Sequence, residues 1–192
     1  MRVTGTATSG APTVVVYQDY QCPYCKLAET AVGPALNELA ASGDVVLEYR
    51  TLTFLDSGTN TSSYRAAMAA AAADVVGHYR QYHDTVFANQ PATEGTGYTD
   101  TQLRVDFARQ AGISGPDLER FQRLYDTKAT SDFVHSADAR SQKDLAGLIG
   151  KPSTPTFTLD GKVWEGWEPW VNRDAVASAA DLLKVIKADA HK

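Results

Sequence analysis

Cysteine is scarce in this chain: two in 192 residues, Cys22 and Cys25. A framework of disulfide staples is therefore excluded, and none is needed, because a chain of this size buries roughly 70% of its unfolded surface on folding. Long apolar runs are missing too. No stretch reaches the roughly 18 residues a spanning helix requires. Positive charge is in the minority, with 18 Lys and Arg against 23 Asp and Glu and a net charge of −5. That balance excludes nucleic acid as the main partner. Histidine is sparse, and His78, His83 and His135 show no ligand spacing. A zinc site takes about four donors, so no metal is expected. The first residues, Met1 to Pro12, have neither the charged nor the apolar region of an export signal. Two readings follow: a cytosolic protein, or the mature part of an exported one whose signal or anchor lies outside this sequence.

What is present is concentrated at Tyr20-Gln21-Cys22-Pro23-Tyr24-Cys25, directly after the apolar run Val14 to Tyr17. A continuous apolar run of this length reads as a strand buried on both faces. Pro23 suits the first turn of a helix, where a missing N–H costs nothing. The helix is expected to run to Ala41, with Leu27, Val32, Leu36 and Leu39 on its apolar face and a kink at Pro34. Residues 45–54 read as the next strand, completing a βαβ unit, and 3–8 as a short edge strand.

The character then changes. Alanine-rich residues 63–77 predict a helix. Further helices are expected around Tyr79 to Val86, from a Thr99 or Asp100 cap to Gly112, from Pro116 to Leu124, and over 130–148. Sheet pattern returns only at Thr156 to Leu159, with Asp160-Gly161 as a hairpin turn and Lys162 to Trp164 as the returning strand. A closing helix is expected from Asp174 to Ala188, with Val176, Leu183 and Ile186 inward. The organisation is α/β: a sheet domain split between residues 1–57 and 151–192, with a helical domain inserted at 58–150.

Two cysteines one helical turn apart at a helix start suit thiol–disulfide chemistry. The thiolate is the nucleophile, and unpaired N–H groups together with the helix dipole favour negative charge there. Cys22, expected to be exposed, then exchanges with a partner thiol, and the more buried Cys25 resolves the mixed disulfide. Pro23 and Tyr24 tune the pair, and neither brings a positive charge. A static structural disulfide, a zinc half-site and two inert thiols are the competing readings. Asp19 is a candidate proton acceptor for Cys25 or an organiser of the loop. Glu48 and Lys151 read as surface residues. Trp164, Trp167 and Trp170 either dock unfolded substrate or pack the last hairpin. Pro155 starts a strand after a loop, and an X-Pro bond in such a place is a candidate for the cis form.

The sequence resembles the DsbA-like branch of the thioredoxin superfamily, in particular its exported Gram-positive and actinobacterial thiol–disulfide oxidoreductases. Three features carry the resemblance: Asp19 to Cys25 after the first core strand, the helical insertion, and Thr154-Pro155-Thr156-Phe157 before the last hairpin, about 130 residues beyond Cys25. It implies a thioredoxin-like fold with a helical domain between its βαβ and ββα halves. It also implies that Cys22 attacks, that Cys25 resolves, and that Thr154 and cis-Pro155 hold substrate. The redox disulfide then serves in place of any cofactor. Reduced or unfolded exported proteins are the implied substrates, with a membrane partner to re-oxidise the enzyme, outside the cytoplasm and as a monomer. Three features depart from the pattern: Pro23-Tyr24 between the cysteines is also the glutaredoxin dipeptide, Ser153 stands where glycine is common, and Val16 lies in the region where many relatives carry an acidic group. Oxidase activity is the leading expectation. The alternatives are a reductase or isomerase, and a peptide-binding module with a static disulfide.

Overall fold

A computed structural model describes residues 2–3 and 7–190. The chain divides into two compact units, one of residues 1–18, 24–50 and 145–192, the other of 19–23 and 51–144.

The first unit carries a five-stranded sheet in the order β1-β3-β2-β4-β5. Its strands are β1 (Arg2–Val3), β2 (Thr13–Gln18), β3 (Val46–Thr51), β4 (Thr156–Leu159) and β5 (Lys162–Val163). The apolar run of β2 occupies the centre, as its lack of alternation predicts, and Val14 to Tyr17 are all buried. β3 alternates, burying Leu47 and Tyr49 while Glu48 and Arg50 pair at 3.2 Å on the partly exposed face. Antiparallel β4 sets Tyr17 opposite Thr156 and Val16 opposite Phe157. The end of β2 is thus the sheet end at which Pro155 stands, and the Thr154–Pro155 peptide is cis. The hairpin after β4 turns on Asp160 (φ 48°) and Gly161 (φ 83°). Both lie in the left-handed region that a two-residue hairpin turn demands.

Helix α1 (Pro23–Ser42) begins at the proline, as expected. Val32, Leu36 and Leu39 are buried, but Leu27 is exposed. Of the edge strand expected over 3–8, Val3 lies in β1; residues 4–6 lie outside the described residues, and Ala7 and Thr8 are not in a strand. The C-terminal helix also differs from expectation. It begins at Ala179 as α8 (Ala179–Ala190), with Leu182 and Ile186 buried, Leu183 only partly so, and Val176 exposed ahead of it. The physical reason is a cap: Ser178 Oγ accepts from the Asp181 N–H at 3.1 Å and donates to the Asp181 carboxylate at 2.8 Å. A short α7 (Glu168–Asn172) occupies part of the preceding segment. Trp164 and Trp167 are buried around Phe157, with ring centroids at 6.4 and 4.6 Å, so these two pack the hairpin.

The second unit is helical. α2 (Ser62–Val75) buries every alanine from Ala66 to Ala73 except where Met68 intervenes, itself buried. Small side chains let α3 (Tyr79–Ala88) and α5 (Gly115–Asp126) pack closely on α2. The helix expected from Thr99 to Gly112 contains a π-helical segment, Gln102–Asp106, that runs into α4 (Phe107–Gln110). The Tyr82 hydroxyl donates to the Leu103 carbonyl at 2.7 Å inside this segment, the kind of side-chain intrusion that accompanies a π turn. At its start Thr99 and Gln102 cap each other, the Gln102 N–H donating to Thr99 Oγ1 at 3.1 Å and the Thr99 N–H to Gln102 Oε1 at 2.8 Å. α6 (Ser131–Ile149) follows α5.

Candidate active site

The motif residues Asp19 to Pro23 belong to the helical unit, and side-chain chemistry explains why. Asp19 is fully buried, and its carboxylate accepts from Ser63 Oγ at 2.5 Å, the Gln21 N–H at 2.8 Å and the Leu55 N–H at 3.3 Å. Its carbonyl accepts the Cys22 N–H at 3.0 Å, closing a tight turn in front of α1. Burial outweighs these donors and pushes the Asp19 carboxyl up to about 7, with the nearby Asp56 carboxylate adding to the rise. Asp56 is itself raised by desolvation, against the donors that hold it. It accepts from the Ser63 N–H at 2.8 Å and the Tyr64 N–H at 2.9 Å, at the start of α2.

Gln21 extends the same network. Its Nε2 donates to Ser63 Oγ at 2.8 Å and Asp56 Oδ1 at 3.0 Å, and its Oε1 accepts from Asn60 Nδ2 at 3.0 Å. Tyr20 is fully buried, its hydroxyl 3.1 Å from His83 Nδ1 and its ring against Phe87 at 5.0 Å. The main chain beside the first cysteine is held from the other side. Gln90 Nε2 donates to the carbonyls of Tyr20, at 2.8 Å, and Cys22, at 3.0 Å. The Tyr98 hydroxyl donates to the Tyr20 carbonyl at 2.7 Å. Burial and the neighbouring Asp19 charge push the Tyr98 phenol well up, so it stays a donor.

Cys22 stands immediately before α1, and Cys25 lies in its first turn. Cys22 is 5% exposed and Cys25 1%. The expectation of an exposed Cys22 is therefore corrected, because Tyr20, Gln21 and the Cys22 carbonyl are anchored inward by the contacts above. Tyr24, at 69%, is the exposed member of the motif, and Pro23 is half-buried. In the sheet unit, Thr154 and Pro155 are half-buried, and Thr156 Oγ1 donates to the Ser153 carbonyl at 2.9 Å, ordering that loop. Lys151 is exposed. Sequence reasoning did not single out Ser63, Asp56, Gln90, Tyr98 or His83 as site residues. Only Gly97 beside Tyr98 offered a signal. Its φ of +69° suits glycine, and an added Cβ there would collide with the Ser62 side chain.

With this geometry in place, similarity to known proteins is decisive. The family description "Thioredoxin" matches residues 3–182. The chain belongs to the thioredoxin family. Within it the chain is 30% identical to MdbA, a thiol–disulfide oxidoreductase from Corynebacterium diphtheriae, covering 87% of this chain and 84% of that one at a TM-score of 0.72. That similarity assigns it to the DsbA-like thiol–disulfide oxidoreductases of the thioredoxin family, which are enzymes. The reduced DsbA from Mycobacterium tuberculosis shares the fold, at 24% identity and a TM-score of 0.66 over 97% of both chains. The chain is also 32% identical, over 155 residues, to a protein named Na(+)/H(+) antiporter NhaA 3 from Salinispora tropica. It spans about a fifth of that relative's length, 21%, so the similarity concerns one part of a much longer protein. Among the described residues no helix is long and apolar enough to cross a membrane.

Proposed function

We propose that this thioredoxin-family protein oxidises cysteine pairs in exported proteins by exchange with a Cys22–Cys25 disulfide. One observation carries the proposal: Cys22 is fixed at the start of a 20-residue helix with Cys25 one turn on. A substrate thiolate attacks Cys22 Sγ. The Cys22–Cys25 bond breaks, a substrate–Cys22 bond forms, and Cys25 leaves as a thiolate that takes up a proton. A second substrate thiolate then attacks the substrate sulfur of this mixed disulfide and releases Cys22 as a thiolate. Two electrons pass from the substrate dithiol to the protein disulfide. The positive end of the helix dipole at the start of α1 favours the departing Cys22 thiolate, which draws the reaction forward.

Pro23 and Tyr24 tune the pair, and Asp19 fixes the loop in front of it. Thr154 and Pro155 supply main-chain and ring contacts for an extended substrate strand. No cofactor enters the scheme. The dithiol is re-oxidised by a membrane partner outside the cytoplasm, and the enzyme works as a monomer. Uncharged, exposed Tyr24 favours a second reading, a reductase or isomerase, because it gives the thiolate no cationic support.

The test uses a reduced, unfolded protein substrate and the oxidised enzyme. Wild type is expected to transfer its disulfide, Cys22→Ser to lose transfer entirely, and Cys25→Ser to accumulate mixed disulfides visible on non-reducing gels. Full activity of Cys22→Ser would end the proposal.

A further inference from the structure

We propose that Gln90, contributed by the helical unit, is a positioning residue that sets the reactivity of Cys22. The inference rests on the thiol-exchange reading above and names a residue that this reading does not require. Gln90 is 94% buried, at 6% exposure, and lies two residues after α3. Its carboxamide nitrogen has two hydrogens, and two main-chain acceptors lie within reach: the carbonyls of Tyr20 and Cys22, at 2.8 and 3.0 Å. A single side chain thereby bridges the Tyr20–Gln21 and Cys22–Pro23 peptide units.

The chemistry follows from charge. The Cys22 carbonyl shares its Cα with the reactive thiol, and the Tyr20 carbonyl is two residues back. Both oxygens are negative poles beside a sulfur that must carry negative charge. The Gln90 N–H groups set partial positive charge against those poles, and they fix the turn that presents Cys22 at the start of α1. Tyr98 supports the Tyr20 carbonyl alone, at 2.7 Å. Removing the Gln90 donors leaves the Cys22 carbonyl without this neutralisation, which disfavours the thiolate. The reduced form is then less stabilised and the protein becomes a weaker oxidant.

Glutamine is needed for this geometry. Asparagine is one methylene shorter and does not span the two carbonyls from the same Cα. Glutamate replaces the donors with an acceptor facing two acceptors. Methionine matches the length and volume of glutamine without any donor, so Gln90→Met isolates the hydrogen bonds.

The experiment titrates the Cys22 thiolate by its absorbance at 240 nm in the reduced full-length protein, and measures the equilibrium with glutathione. It compares wild type, Gln90→Met, Tyr98→Phe and Val86→Ala. Gln90→Met is expected to lower the thiolate fraction near the wild-type midpoint, and the glutathione equilibrium constant, by roughly twofold to fivefold, the size of a helix-terminus dipole effect. Tyr98→Phe should give a smaller change in the same direction. Val86→Ala, a cavity at a buried position of α3 just before Gln90, should lower the melting temperature and leave both redox readouts unchanged. Equal readouts in wild type and Gln90→Met overturn the proposal, as does an equal shift in Val86→Ala. If Gln90→Met fails to fold, Tyr98→Phe decides: its redox readouts must move, and if they do not the proposal falls. Absence of disulfide exchange in wild type is a different result and refutes the function itself.

Discussion

At the residue scale, Asp19 is the carboxyl of the motif loop that burial perturbs strongly. It is fully buried, accepts three hydrogen bonds, and still titrates at about 7 because desolvation dominates. A carboxyl whose folded pKa lies above its unfolded value binds more protons in the folded state. The stability linked to it is complete below about pH 4 and is lost as pH rises towards and through 7. Half-buried Asp56 is shifted in the same direction and adds to the slope. Wild type is therefore expected to be more stable towards urea at pH 5 than at pH 8, by an amount on the order of 3 kcal/mol. Asp19→Asn should flatten the profile by removing the titration while keeping an acceptor for Ser63 and the Gln21 N–H. A stability difference between wild type and Asp19→Asn that does not change between pH 5 and pH 8 would show that Asp19 stays ionised throughout.

At the element scale, the motif is held by loops as much as by its own strand and helix. Gly97 illustrates this. It occupies the left-handed region at φ +69°, directly before Tyr98, and the Tyr98 N–H donates to Ser62 Oγ at 3.3 Å. Gly97→Ala must either displace the Ser62 side chain or rotate the backbone, and both outcomes pull the Tyr98 hydroxyl from the Tyr20 carbonyl. A loss of about 2 kcal/mol is expected, the scale of a strained left-handed non-glycine residue with a displaced neighbour. Urea unfolding checks it, and an unchanged midpoint would refute the close packing at Gly97. Element placement was largely legible in the sequence where the signal is local. β2 as an apolar run, Pro23 as the helix start and Asp160-Gly161 as a hairpin all follow from a few adjacent residues. The Ser178 cap was equally local but was passed over in favour of the apolar Val176, and the start of α8 was misplaced as a result. What local pattern does not contain is pairing across long separations. Gln90 meets Tyr20 and Cys22 from 70 and 68 residues away, and Ser63 meets Asp19 from 44. Polar side chains in loops carry no periodicity, so nothing in the sequence marked them as buried.

At the scale of the whole molecule, the direction of electron flow becomes a question of stability. The oxidised and reduced proteins and their unfolded counterparts form a closed thermodynamic cycle. The stability difference between the two folded forms must equal the difference in disulfide potential between the folded protein and the unfolded chain. An oxidase is a protein whose folded state prefers the dithiol, so its disulfide destabilises it. The features around Cys22 bear on that preference: the helix start and the Gln90 N–H donors favour the thiolate, while burial of both cysteines and the uncharged Tyr24 oppose it. The proposed oxidase therefore requires the reduced form to be the more stable one. Each kcal/mol corresponds to about 20 mV for a two-electron couple. Urea unfolding of the oxidised and reduced proteins at pH 7 measures the difference directly. A reduced form more stable by about 2 kcal/mol or more would place the potential well above that of an unstructured cysteine pair, as an oxidase needs. A more stable oxidised form would instead make the protein a reductant, and the exposed Tyr24, with no charge to offer the thiolate, would be the first position to explain it.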